Sequence, residues 1–445
     1  MSERSAADAK RTSIKLALVG IALVAATIAG PSLHLRLGGL MLLAVVVICG
    51  AGAFFAAQVG DRADQKSALM IIVGAALAMR LGLLFTEPYL STDMYRYIWD
   101  GRVQASGINP YRFVPGAPQL LALRDAAIFP NINRADYAVT IYPPVAQAAF
   151  LLITRIGESV TAMKLGLLAF EGLGVAAIMA LLKRQGLPAT RVAAYAWHPL
   201  PVWEIAGSGH VDAVMVAFLM VGLLVFLSGR TLLAGLLVTL GALVKPTALL
   251  ALPVFWRPWD WRLPLVVAGT VVAAYLPYLS VGTGVFGFLT GYVEEEGLRS
   301  GKGFTVLWLL QELVALPPLA TLIYVAVAAI VLAALALAIG FRQNRSEPTS
   351  ITCLSWLLVA FLFFASPHYP WYFLVLVPFL AFHPTATAWT MTLGSFLLYD
   401  IIGNDGLPSY TIRISIFTLA TLAAIAHDLR GQRAASNTTV VRETS

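Results

Sequence analysis

Apolar runs of about twenty residues recur along this sequence, separated by short polar connections. A run of that length crosses a hydrocarbon layer of roughly 30 Å as an α-helix, which satisfies its own backbone hydrogen bonds. Such runs lie at 14–30, 37–58, 67–85, 162–182, 213–227, 232–256, 263–281, 318–340, 351–365, 372–382, 386–402 and 410–426, and a further one climbs through Tyr195 and Trp197. With 59% hydrophobic and 12% charged residues among 445, a soluble domain with a large core is excluded. The expected class is an all-α polytopic membrane protein with a bundle of about 12–14 transmembrane helices.

The placement of charge sets the expected orientation. Basic residues gather at the N-terminal tail, in short turns (Lys183, Arg184 and Arg191; Arg257 and Arg262; Arg342 and Arg345) and at the C-terminal tail. Cytoplasmic loops carry such an excess, so both termini are expected inside. The net charge of +7 is thereby accounted for, with no nucleic acid partner implied. No small-residue cleavage site follows the first apolar run, so no cleavable signal peptide is expected. Cys49 and Cys353 lie in apolar segments and supply neither a disulfide nor a metal framework.

On this topology the third span delivers its C-terminal end to the outer face, where the sequence turns polar at 91–115, STDMYRYIWDGRVQASGINPYRFVP. Asp93, Arg96, Asp100, Arg102 and Arg112 crowd into this stretch. If 93–103 is helical, Asp93, Tyr97 and Asp100 stand at i, i+4 and i+7 on one face, and Gly107, Asn109 and Pro110 end the helix. The rival reading is a solvated interfacial helix, with Arg96 and Asp100 as an i, i+4 pair and Tyr95, Tyr97 and Trp99 at headgroup level. The charge density favours a site. The apolar run 145–153 reads as a juxtamembrane helix, because a crossing there would put Lys183, Arg184 and Arg191 outside.

Two further polar segments share that face. WHPLPVWEIAGSGHVDA at 197–213 holds His198, Glu204, His210 and Asp212, and the glycine-rich 282–303 holds Glu294, Glu295, Glu296, Arg299 and Lys302. Lys245 and Pro246 interrupt the run 232–256, which predicts two half-helices meeting at a cavity, since an ionised group and unpaired backbone must face water or protein. His210 reads either as a ligand-binding side chain or as a cap of the following helix. The 294–296 run reads as a solvated loop face, and Asp400 and Asp405 as interfacial.

The acidic TDMY motif (Thr92, Asp93, Met94, Tyr95), the NPY turn (Asn109, Pro110, Tyr111), the YPP motif (Tyr142, Pro143, Pro144) and the segments 197–213 and 234–253 follow one another in order. In this the chain resembles the GT-C superfamily of integral membrane glycosyltransferases, and within it bacterial family 87 and related polyprenyl-phosphate-mannose-dependent mannosyltransferases. The resemblance covers roughly 67–256 and makes the first two spans look additional. It implies a tail at 1–13, two spans at 14–66, a GT-C module at 67–256 with an outer catalytic loop at 87–160, a C-terminal bundle at 257–427 with an outer loop at 282–304, and a tail at 428–445. Tyr95 stands where a DxD motif would have its second aspartate, so no metal ligand set and no cofactor are expected. Asp100 lies roughly 10 Å further along a helix, too far to share an ion.

The resemblance further implies transfer of a sugar, mannose above all, from a polyprenyl-phosphate-linked donor to a glycolipid or glycan acceptor at the outer face of a plasma or inner membrane. Asp93 matches the family's acidic position and is expected to act as general base, with inversion. Arg96, Arg102, His210, Lys245 and His368 are candidates to receive the leaving phosphate, and Tyr97, Asp100 and Asp212 complete the expected binding residues. A lipid-linked glycan ligase fits the same features. So does a transporter or flippase of amphiphilic substrates, although the clustering of ionisable residues at one face argues against it.

Overall fold

The computed structural model describes residues 3–88, 90–343, 345–399 and 408–443. Asp400 and Asp405 lie outside these described residues. Among the described residues the regular structure is entirely helical. Among these residues eight helices are long and apolar enough to cross a membrane. They include α1 (Glu3–Leu37), α2 (Gly39–Val59), α3 (Gln65–Leu84) and, after two shorter helices α4 (Asp93–Ala105) and α5 (Pro144–Thr154), the long α6 (Val160–Arg184). Beyond α6 come Arg262–Glu295, Ala320–Gly340, Glu347–Ala365 and Tyr410–Gln432. The chain is a polytopic all-α membrane protein, as its apolar runs imply.

The rest of the apolar sequence is broken into shorter pieces. Asp212–Leu227 and Thr231–Ala242 are helices below full spanning length, and the latter ends just before Lys245, whose backbone is extended (φ −141°, ψ 130°) ahead of the 3-10 segment Pro246–Ala251. The break expected at Lys245 and Pro246 is therefore present. The run through Tyr195 and Trp197 is not a continuous helix: it consists of the turns Ala193–Ala196 and Pro199–Pro201 and a π segment, Val202–Gly207. Pro199 and Pro201 withdraw the N–H donors a regular helix would need there. In the same way Pro370 and Pro378 divide 370–382 into the 3-10 segments Pro370–Val375 and Val377–Ala381. The irregular pieces at 193–207 and 370–382 are buried in the protein, where non-helical backbone is tolerated at membrane depth.

Two charged groups inside the bundle fix the helix that leads to the polar loop. Arg80 of α3 forms a two-pronged pair with Glu171 of α6 (2.6 and 2.9 Å) and donates to the Ala196 carbonyl at 2.8 Å. Lys164 of α6, fully buried, donates to the carbonyls of Leu83 (3.0 Å) and Thr86 (2.6 Å), satisfying groups the α3 C-terminus leaves open. Both are tied to structural partners, and together they fix the start of the segment leading to Asp93. Replacing Arg80 by Met strands the Glu171 carboxylate in the interior, and a loss of about 3–5 kcal/mol of stability is expected. Thermal unfolding in detergent should show it as a lowered midpoint, with Arg80→Met/Glu171→Gln recovering most of the loss.

Candidate active site

Helix α4 spans Asp93–Ala105, close to the predicted bounds, and its residues Met94–Gly101 are all buried. That burial removes the interfacial-helix reading: the aromatic residues pack inward. Tyr97 stacks on Phe150 of α5 with ring centroids 4.5 Å apart. Gly101 lets α4 and α5 approach, since a Cβ there would sit 2.6 Å from the Phe150 carbonyl oxygen. Asp93 lies in the first turn of α4, where the helix dipole favours a carboxylate.

Asp93 is half-buried and held by neutral groups. Asn133 Nδ2 donates to its Oδ1 at 2.9 Å, and the Tyr142 hydroxyl lies 3.4 Å from both Asp93 Oδ2 and the Tyr97 hydroxyl, within weak donating reach of either. Burial, and after it the Asp93 charge, pushes the Tyr97 and Tyr142 phenols well above the ordinary tyrosine range. Both therefore stay protonated, and Tyr142 keeps a proton to donate toward the carboxylate.

The other predicted residues of α4 have structural partners. Arg96 is 5% exposed, donating from Nε to Asp100 Oδ1 at 2.8 Å and from Nη1 to the Ala138 carbonyl at 3.1 Å. Asp100 also accepts from Gln147 Nε2 at 3.0 Å, and that amide donates onward to Thr140 Oγ1 at 2.7 Å. The Arg96–Asp100 pair thus organises the 138–147 loop that carries Tyr142, with Arg96 Nε and Nη1 committed to protein partners. Arg102, nine residues and roughly 13 Å along the helix from Asp93, clamps Asp125 at 2.6 Å and Glu158 at 2.7 Å. It stands apart from the Asp93 cluster.

His210, Asp212 and Lys245 do come together. Lys245 Nζ pairs with Asp212 Oδ2 at 2.6 Å and lies 4.7 Å from the centroid of the Tyr372 ring. The charges of Asp93 and, more weakly, Asp212 both raise the Tyr97 phenol, so the two carboxylates share one electrostatic neighbourhood. His210 is completely buried, its ring stacked on Trp371 at 4.1 Å and its Nε2 3.4 Å from Glu204 Oε2. The Glu204 Oε1 accepts from the Tyr399 hydroxyl at 2.5 Å. His210 caps no helix; the capping histidine is His198, whose Nδ1 accepts from the Leu200 N–H at 3.1 Å.

The third polar segment closes over the same place. Gly287 adopts φ +57°, and a Cβ there would meet the Thr140 carbonyl oxygen at 1.9 Å, so only glycine allows this contact. Glu294 and Glu295 are exposed, as expected of a solvated face, while Glu296 is half-buried; Arg134 Nε and the Tyr137 hydroxyl nevertheless hold Glu295 at 2.6 and 2.9 Å, and His368 Nδ1 lies 3.4 Å from Glu296. Glu294 forms the most exposed of these pairs, with Arg299. Asn133, Arg134 and the two glutamates escaped sequence reasoning because their partners lie in different loops. Among the described residues no group of three or more His, Cys, Asp or Glu is disposed to hold a metal ion.

This geometry, a half-buried carboxylate at the start of α4 together with a half-buried lysine paired to a buried aspartate, sits within a chain whose sequence matches a known family. The model described as "Alpha-(1->6)-mannopyranosyltransferase, N-terminal domain" matches residues 12–260, more than half of the sequence. The chain belongs to the alpha-(1->6)-mannopyranosyltransferase family. It is a membrane glycosyltransferase of the GT-C superfamily, as its motifs implied. The family domain begins at residue 12, so the two N-terminal spans that looked additional belong to it.

Relatives named alpha-(1->6)-mannopyranosyltransferase A are similar to it. The one from Mycobacterium tuberculosis is 25% identical over 383 residues, covering 76% of this chain and 71% of the relative. The one from Corynebacterium glutamicum is 28% identical over 235 residues, covering 50% of this chain and 46% of the relative. No solved structure matches the chain. The mannopyranosyltransferase family domain takes in Asp93, Asn133, Tyr142, Asp212 and Lys245, whereas Glu295, Glu296 and 368–372 lie beyond it.

Proposed function

We propose that this protein transfers mannose from a polyprenyl-phosphate-linked donor to a glycolipid or glycan acceptor at the outer face of the plasma or inner membrane, with both termini cytoplasmic. The observation that carries the reading is Asp93: a half-buried carboxylate at the first turn of α4, hydrogen-bonded by Asn133 and Tyr142, at the position the family's acidic motif occupies. The relatives' names make an α-(1→6) bond the linkage to look for.

In this mechanism the acceptor hydroxyl comes within about 2.6–3.2 Å of an Asp93 oxygen and gives up its proton as its oxygen bonds to the anomeric carbon. The bond from that carbon to the phosphate oxygen breaks on the opposite face, so the configuration inverts, and an α product requires a β-linked donor sugar. Lys245 receives the negative charge left on the polyprenyl phosphate. Asp93 then returns the proton to water. Asp212 holds Lys245 in place, and the Arg96–Asp100 pair holds the loop bearing Tyr142.

Mass spectrometry of envelope glycolipids and polysaccharides tests the reading in a deletion strain. A hexose should be missing, restored by wild type and not by Asp93→Asn. An unchanged glycan profile in a strain shown to express the gene would overturn it.

A further inference from the structure

Helix Glu347–Ala365 ends at Ser366, whose φ of +47° turns the chain sharply into the HYPWY sequence. Three rings from this region and from the 197–213 segment form a column. Tyr369 lies flat on Trp371 with centroids 4.5 Å apart and planes 6° apart, and Trp371 lies on His210 at 4.1 Å and 21°. His210 is 0% and Trp371 7% exposed, whereas Tyr369 is only half-buried. The column therefore has a buried foot and a partly open head.

A chain of contacts brings charged groups toward that head. His368, the residue before Tyr369, lies 3.4 Å from Glu296; the adjacent Glu295 pairs with Arg134 at 2.6 Å, and Asn133, the residue before Arg134, donates to Asp93 at 2.9 Å. Arg134 and Tyr137 fix Glu295 from two sides, and His368 stands beside Glu296. A partly open aromatic ring bordered by fixed carboxylates matches the two kinds of surface a pyranose presents: apolar C–H faces that settle on a π-cloud and hydroxyls that donate to carboxylates. Tyr372, three residues further on, lies against Lys245 instead, so one turn of chain serves the sugar side with one tyrosine and the phosphate side with the other.

We propose that the Tyr369 ring is the floor of the subsite that holds the acceptor sugar, a neutral pyranose whose hydroxyls reach Glu295 and Glu296 while one of them meets Asp93. This rests on the glycosyl-transfer reading above. It gives the buried His210 a purpose outside the chemistry: its ring supports the column from below.

Full-length protein in detergent, with methyl α-D-mannopyranoside as probe, supplies the test. Saturation-transfer NMR should pass magnetisation from aromatic protons to the pyranose C–H protons in wild type, Tyr369→Phe and Tyr369→Trp, and lose it in Tyr369→Leu. With an alkyl α-mannoside as acceptor, Tyr369→Leu should raise the acceptor KM about tenfold and leave the donor KM unchanged. Should the leucine variant not fold, wild type labelled with 3-fluorotyrosine answers the same question: the resonance assigned by Tyr369→Phe shifts on adding the sugar. Leucine binding the sugar as well as wild type, phenylalanine failing with leucine, or a Tyr369 resonance indifferent to sugar would each overturn the platform. Wild type that binds the sugar through this ring but transfers nothing would overturn the transfer reading and leave the platform standing.

Discussion

Asp93→Asn is expected to lower transfer by about a thousandfold or more while the protein folds and inserts as wild type does. General-base catalysis contributes about 10²–10⁴ in rate. The substitution keeps the side-chain shape: the amide oxygen can still accept from Asn133 Nδ2, and the new NH2 can donate to the Tyr142 hydroxyl. What is lost is the capacity to take a proton. The loss should fall on kcat, with acceptor and donor KM changed little, because the carboxylate acts as bonds rearrange and not when substrates dock. Transfer from labelled polyprenyl-phosphate mannose, measured beside a thermal midpoint, separates chemistry from folding. Activity within tenfold of wild type would remove Asp93 from the role of base.

Lys245→Met should be comparably severe, for two reasons that a second variant separates. Asp212 is 1% exposed and its carboxylate faces Lys245 at 2.6 Å, so removing the amine leaves a buried, unpaired charge costing about 3–5 kcal/mol. Transfer should also fall about a hundredfold or more if the amine receives the leaving phosphate. In the double variant Lys245→Met/Asp212→Asn no charge is stranded, so the thermal midpoint should return most of the way toward wild type. Transfer should stay low. Recovery of activity together with stability would make Lys245 a counter-ion of Asp212 and nothing more.

What could be read from the sequence was what depends on neighbours along the chain. The membrane class follows from the length of the apolar runs, the bounds of α4 from its spacing and its Gly-Asn-Pro ending, and the break at Lys245 from a charge beside a proline. The i, i+4 relation of Arg96 and Asp100 was also visible, although which reading of it holds was settled by burial. Contacts across the chain were not visible. Arg102 finds Asp125 and Glu158, His210 finds Trp371, and Arg134 finds Glu295, each through a loop whose path has no periodicity to read. The prolines at 199, 201, 370 and 378 announced the broken spans, but apolar content outweighed them in the reading. Arg80, Lys164 and Glu171 stood in plain view as charges within apolar runs; only the structure gives them partners.

Lys245 and Arg134, at the mouth of the site, are already matched, Lys245 by Asp212 and Arg134 by Glu295. The carboxylates of Asp93 and Glu296 stand beside these pairs, so the proposed site carries no excess of positive charge, and a phosphodiester arriving there would be seated by partner exchange rather than drawn in from a distance. Anionic headgroups in the surrounding leaflet would meet the same matched cations. On the proposed mechanism the pairing itself would discriminate against the bilayer's own lipids.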